Sequence, residues 1–231
     1  MDTLTKDAKQ KIIDWESFID FLDKEVVWED PSMAPYRAVE QALLAIASHP
    51  EALEKRTRQI VEDKTLFDAY APHMNYPRIL MDKFMLYMDP ADRFRVRLHR
   101  FKTKRQNGTA IEKVHSHKWP MSTIILRGTY EERVFNVDAI DEEAKTAKLT
   151  VKMSHNLSAG AVNSLPAYVP HQVFNHSDDE PVFTLFVRGP SLGPAASIFD
   201  VEKGTYYQTF DPNQQLKEGL LAIGRLDADF H

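Results

Sequence analysis

The chain contains no cysteine. That excludes disulfides and thiolate metal ligands, and it removes any need for an oxidising compartment. No apolar run approaches the roughly 20 residues of a membrane-spanning helix. The first residues, Met-Asp-Thr-Leu-Thr-Lys-Asp, show no basic stretch leading into an apolar one, so the expected location is cytoplasmic, without a membrane partner. An excess of positive charge is also missing. The net charge is −5 and the pI is near 6.0, so a nucleic-acid partner is not expected, and no basic recognition helix accompanies the rest. Internal repeats and low-complexity tracts are absent. What remains is a globular chain of 231 residues, 43% hydrophobic, enough for an ordinary core.

Two textures divide it. Within residues 6 to 27, Ile12, Trp15, Phe18, Ile19 and Leu22 share one face of an amphipathic helix. Asp30-Pro-Ser-Met-Ala-Pro35 ends that helix. Tyr36 to Ser48 and Glu51 to Asp63 then read as a helical hairpin, with Pro50 in the first turn of its second arm. From about Arg78 the pattern changes to short runs of β-branched and aromatic residues: Lys83 to Met88, Phe94 to Phe101, Thr123 to Leu126, Tyr130 to Phe135, Lys148 to Met153, Tyr168 to Phe174 and Val182 to Val187. Such a series predicts a sandwich or barrel. Asn136 to Thr146 reads as an acidic loop, and Pro212 to Leu221 as a short helix able to pack on the barrel or on a second subunit of a homodimer.

Against this background one group of residues carries chemistry. His115 and His117 are alternate residues of a strand-like segment, so both point to one face while Ser116 points away. His171 lies in a later strand that could return alongside. Neutral imidazole suits divalent zinc, iron, copper and nickel, whereas calcium and magnesium prefer oxygen donors, and three such ligands leave coordination positions open; zinc, nickel or manganese would serve in place of iron in a purely Lewis-acid site. A lone His-x-His pair is a weak signal among nine histidines. The second segment strengthens it, because Gly160, Pro166, His171 and Asn175 fall at the spacing G-x5-P-x4-H-x3-N, and Gly128 follows the first pair.

This combination resembles the two signature motifs of the cupin superfamily. Tyr168 stands where the second motif has its usual Gly, and Met121 and Ser122 stand where the first has its ligand Glu. Glu112 is the nearest upstream carboxylate, but strand alternation would turn it away from His115. A carboxylate-free, three-His site resembles that of the thiol dioxygenases. The resemblance to cysteine dioxygenase covers roughly residues 76 to 190, including Tyr76-Pro-Arg78-Ile-Leu-Met-Asp82, Arg93 to Phe101, Gly128 to Phe135 and Pro181 to Val187. It implies a mainly β fold: a cupin double-stranded β-helix (jelly-roll barrel) over 76-210, preceded by an α-helical N-terminal region over 1-75 and followed by a tail over 211-231. It further implies one divalent metal, Fe(II) by the family's example, and a small-molecule substrate together with dioxygen. The chain departs from the family at the chemistry. With no cysteine there is no Cys-Tyr cross-link, and Thr184, Phe186 and Arg188 occupy the positions of the outer-sphere Ser, His and Tyr, so cysteine is a doubtful substrate.

Beside the metal ligands His115, His117 and His171, the residues read as substrate-binding are Arg78, Tyr76, Trp119, Ser122 and Tyr168. Arg78 would pair with a substrate carboxylate through its planar fork, or else form a surface ion pair. Trp119 would wall the cavity or simply pack, and Tyr168 is expected to pack. Arg93, Arg95 and Arg97 alternate with Phe94, Val96 and Leu98. The expected register turns the apolar side to the barrel and leaves the arginines as a solvated or subunit-facing stripe. The reverse register would place Arg97 and His99 in the outer sphere of the site. His155 and His176 read as exposed. Two other functions stay open: a cupin isomerase, lyase or hydrolase using the ion as a Lewis acid, and a non-catalytic small-molecule-binding cupin.

Overall fold

A computed structural model describes residues 11–30, 32–209, 220–221 and 223–225. The N-terminal part is helical. Helix α1 (Trp15–Glu25) is capped by Asp14, whose carboxylate accepts from the Ser17 backbone N–H at 2.8 Å. Its buried residues Trp15, Phe18 and Leu22 follow the helical repeat read from the sequence. Helices α2 (Tyr36–Ile46) and α3 (Pro50–Glu62) form the expected pair, with Pro50 opening α3. A fourth helix, α4 (Lys64–Tyr70), is capped by Asp63, and a 3₁₀ turn over Ala71–His73 leads out of it. The helix read over residues 6 to 27 is shorter than expected: residues 12–14 are not helical, so Ile12 is buried outside α1, and the part before residue 11 lies outside the described residues.

Eleven strands and one short helix follow among the described residues. They are β1 (Met81–Met88), β2 (Arg95–Phe101), α5 (Lys104–Asn107), β3 (Val114–His115), β4 (Met121–Arg127), β5 (Thr129–Asp141), β6 (Thr146–Ser158), β7 (Val162–Leu165), β8 (His171–Phe174), β9 (Val182–Arg188), β10 (Ala196–Asp200) and β11 (Thr205–Thr209). They build two antiparallel sheets. One has the order β1-β2-β9-β4-β7, and the other closes on itself in the order β10-β11-β6-β5-β8-β3. The fold is therefore mainly β with an α-helical N-terminal region, the double-stranded β-helix that the resemblance implies.

The helices decide which face of the first sheet is which. Phe18, Leu43 and Ile46 from the helices share one core with Met85, Phe94, Val96, Ile124, Leu185 and Val187 from the sheet side. Trp28 stacks on Phe94 at 4.9 Å between ring centroids. Each such buried side chain contributes about 1.5–3 kcal/mol relative to exposure. With its apolar face covered by helices, the sheet turns its other face towards the second sheet, and a cavity of about 230 Å³ lies between them.

Several sequence readings are corrected here. The acidic segment Asn136–Thr146 is mostly not a loop: β5 continues to Asp141, with pairs such as Asn136↔Thr150 and Asp141↔Thr146, and only residues 142–145 form the turn into β6. Both faces of this end of the hairpin are exposed, so charged residues persist in regular strand. The strand expected from Tyr168 begins only at His171, because residues 167 and 168 form a turn. Strands β7, β10 and β11 were not expected, and at four or five residues they are too short to show alternation; β3, the strand expected to carry His115 and His117, spans only Val114–His115, so His117 lies just beyond it. The helix read at Pro212 to Leu221 falls outside the described residues, save for Leu220 and Leu221.

Candidate metal centre

Strand β3 runs between β8 and β10, and it places His115 directly opposite His171 across the β3/β8 ladder. His117 follows two residues later. Ser116 between them is tied to β10: its N–H donates to the Ser197 carbonyl at 2.9 Å, and its hydroxyl accepts from the Ser197 N–H at 3.2 Å. The three imidazoles converge with centroid separations of 4.6, 4.8 and 5.2 Å. One ring nitrogen from each lies within 4.8 Å of the others.

Neighbouring groups orient two of the rings. The Lys113 carbonyl can only accept, so His115 donates to it from Nδ1 at 3.0 Å and keeps Nε2 for the cluster. His171 Nδ1 lies 2.8 Å from Glu132 Oε1, while its Nε2 is buried with no partner among the described residues. A buried, orphaned acceptor nitrogen aimed at two more imidazoles is what a metal ligand requires. Burial, with smaller help from the neighbouring positive groups, keeps the His117 imidazole well below its usual pKa, and burial also lowers that of His115. Both are thereby neutral and able to ligate near pH 7. The donor set fits a divalent ion that takes nitrogen ligands.

Glu132 was not singled out from the sequence, although a signal existed. Tyr130, Glu132 and Val134 alternate in β5 and are all buried, with Glu132 at 0% exposure. Burial pushes its carboxyl up, but the hydrogen bonds and charges of His171 and His155 outweigh this and leave it below the ordinary value. Asn163 Nδ2 donates to the Glu132 Oε2 at 2.5 Å, and His155 Nε2 lies 3.1 Å from that oxygen. Glu132 is thus a fully satisfied carboxylate behind His171. It also corrects the reading of His155, which is tied to this buried group instead of being a free surface residue. His176 remains exposed, beside Glu131.

The register of the arginine strand is the reverse of the expected one. Val96 packs under the helices, and Leu98 lies against the same core. Arg97 and His99 line the cavity with the histidine trio. Alternation shows that two faces differ, not which face meets what, and here the helical layer supplies the apolar partner. Arg93 and Arg95 lie nearer the strand's start and pair with Asp89 and Asp92.

The remaining candidates separate clearly. Trp119 lines the cavity, stacked on His117 at 5.3 Å, with Arg97 and Arg188 over its ring. Ser122 is buried on the helix side, its hydroxyl 2.6 Å from that of Ser164, while its neighbours Met121 and Thr123 face the cavity. Arg78 is exposed and its backbone N–H donates to Asp82. Tyr76 is 63% exposed and tilts against Phe84. Neither belongs to the cavity lining. Tyr168 adopts a φ of 65° at the position where the motif has Gly. Its N–H donates to the His117 carbonyl at 2.7 Å, its ring lies against Gly193, and it does not line the cavity. Glu112 does reach the cavity, because it precedes β3 and is not bound by strand alternation, but one of its oxygens accepts from the Val173 N–H at 3.0 Å.

Comparison with protein-family models finds no match, and comparison with curated proteins finds none either. Among solved structures, the chain is similar to a cupin-like protein from Thermotoga maritima at 19% identity and a TM-score of 0.36, over 54% of this chain and 84% of that one. It is similar to the oxalate decarboxylase of Lactobacillus farciminis at 14% identity and a TM-score of 0.37, over 70% and 40% of the two chains. The DMSP lyase DddQ of Ruegeria pomeroyi matches at 16% identity and a TM-score of 0.35, over 51% and 50%. The three histidines, not these likenesses, identify the site. No helix among the described residues is long and apolar enough to cross a membrane.

Proposed function

We propose that the protein is an enzyme, a mononuclear non-haem iron dioxygenase of the cupin type, acting on a small metal-chelating thiol or carboxylic acid. The observation that carries this reading is the convergence of His115, His117 and His171 without a carboxylate in the group. Held by three neutral imidazoles, Fe(II) would supply a redox-active Lewis acid that keeps its full charge and has positions open to an anionic chelator and to dioxygen.

The chain's own residues supply the rest. Glu132 holds the His171 ring so that Nε2 faces the cluster. Trp119, Met121, Val173 and Phe186 form apolar wall between the polar groups, which limits bulk water at the reacting end. The cavity of about 230 Å³ is smaller than the roughly 300–1,000 Å³ typical of drug-sized ligands, so it suits a small substrate. Phe186, where cysteine dioxygenases have a His, can neither accept nor donate a proton, which supports a substrate other than cysteine.

Elemental analysis of protein purified from cells, followed by oxygen-uptake assays of the Fe(II)-loaded protein with small thiols, diketones and chelating acids, tests the proposal. Bound iron and substrate-dependent oxygen consumption are expected. Turnover without oxygen would replace the dioxygenase with a Lewis-acid isomerase, lyase or hydrolase, and absence of both metal and turnover would leave a binding protein.

A further inference from the structure

The cavity wall opposite the histidines carries two cations that no ion pair within the chain balances. In the first sheet, Lys83, His99 and Thr184 stand in one cross-strand row over β1, β2 and β9, and Arg97 and Phe186 stand in the next. All five line the cavity. Among the described residues neither the Lys83 ammonium nor the Arg97 guanidinium has a hydrogen bond or an ion pair to a protein acceptor. Arg97 Nε, His99 Nε2 and Thr184 Oγ1 are all buried without a hydrogen-bond partner. The other cations near the first sheet are treated differently: Arg93, Arg95, Arg100, Lys102 and Arg188 each have an aspartate.

We propose that Lys83, Arg97, His99 and Thr184 form a carboxylate subsite, which holds the end of the substrate remote from the metal. Two enclosed cations without an ion-pair partner are costly, and unmade hydrogen bonds beside them add to that cost, so an anion from outside the chain would find its partners ready there. The planar fork of Arg97 matches a carboxylate in bidentate fashion, and its guanidinium lies over the Trp119 ring. Lys83 approaches from the neighbouring strand, and the Thr184 hydroxyl and the His99 imidazole each have one donor to give. Glu112 also lines the cavity and its charge favours the Lys83 ammonium, but it makes no ion pair or hydrogen bond with Lys83 or Arg97, and one of its oxygens accepts from the Val173 N–H. The subsite therefore takes over the role that the sequence motif assigns to exposed Arg78. The inference rests on the histidine site being the reacting end. It narrows the substrate class to small acids whose carboxylate lies at one end and whose metal-binding group lies at the other.

The test is calorimetric titration of the protein, as purified, with propionate and with its neutral isostere propionamide. Propionate should bind and propionamide should not. Arg97→Met and Lys83→Met should each weaken propionate binding about ten- to a hundredfold, the scale of a hydrogen bond to a charged group. Arg97→Lys, which keeps the charge and loses the fork, should fall between, and it serves as the working variant if Arg97→Met does not fold. Arg78→Gln should bind as the parent does. His171→Ala, which removes a metal ligand, should retain propionate binding. The proposal is overturned if the parent does not bind propionate, if the Arg97 and Lys83 variants bind it unchanged, if Arg78→Gln abolishes binding, or if binding disappears in His171→Ala because the carboxylate sits on the metal. Charge-selective binding that persists when oxygen uptake fails would sink the dioxygenase reading and leave the subsite standing.

Discussion

Glu132 Oε1 lies 2.8 Å from His171 Nδ1, and both groups are buried. That contact turns the opposite ring nitrogen towards His115 and His117, so a residue that does not belong to the ligand group sets its geometry. A carboxylate behind a ligating His fixes the ring's tautomer and orientation for the ion.

Glu132→Gln should accordingly lower metal affinity by about 10- to 100-fold while leaving the stoichiometry at saturation unchanged. The substitution keeps the shape of the side chain and removes the charge. Competition against a metallochromic chelator measures the effect, and an unaltered affinity would make Glu132 a purely structural residue.

His171→Ala should lose most of the bound metal, because it deletes one of three donors, yet it should keep the antiparallel sheets. Elemental analysis alongside circular dichroism checks both halves. Parent-like metal content would remove His171 from the site.

The pH dependence of the metal-free protein follows from burial. His99, His115 and His117 all have folded-state values below 6.5, with burial as the largest cause. As pH falls through 6.5 the unfolded chain takes up protons that the folded one refuses, so stability is present above that value and is lost below it. Each group contributes about 1.4 kcal/mol for every pH unit between its folded and unfolded values. Thermal unfolding in a chelating buffer should give a lower Tm at pH 5.5 than at pH 7.5, before Asp82 and Asp89 approach their unfolded value of 3.8. An equal Tm at the two pH values would contradict the assignment of these histidines as neutral.

Gly128 joins β4 to β5 with a φ of 82°, and a Cβ there would meet the Pro181 carbonyl oxygen at 2.9 Å. Gly128→Ala should therefore destabilise the protein by about 1–3 kcal/mol, from backbone strain and a contact with another backbone that cannot move aside. Chemical denaturation would show it. An unchanged midpoint would mean that the turn adapts.

Much of this molecule was legible in the chain. The helical repeat of Trp15, Phe18 and Leu22, the pairing of His115 with His117 on one face, and the place of Gly128 in a turn all follow from local geometry, in which neighbouring residues determine what each side chain can do. Tyr168 shows the limit from the other side, since it replaces the motif's usual Gly and the chain still adopts a positive φ there. What the sequence could not decide was which face of β2 is covered. The alternation of Arg97 and His99 with Val96 and Leu98 is equally consistent with either orientation, because a period of two distinguishes faces without naming their neighbours. The tertiary structure settled it: the N-terminal helices took the apolar face and left the basic one to the cavity. Glu132 met the same limit, since the value of a buried carboxylate depends on partners 23 to 39 residues away in sequence, His155 and His171, which only folding brings within hydrogen-bond reach.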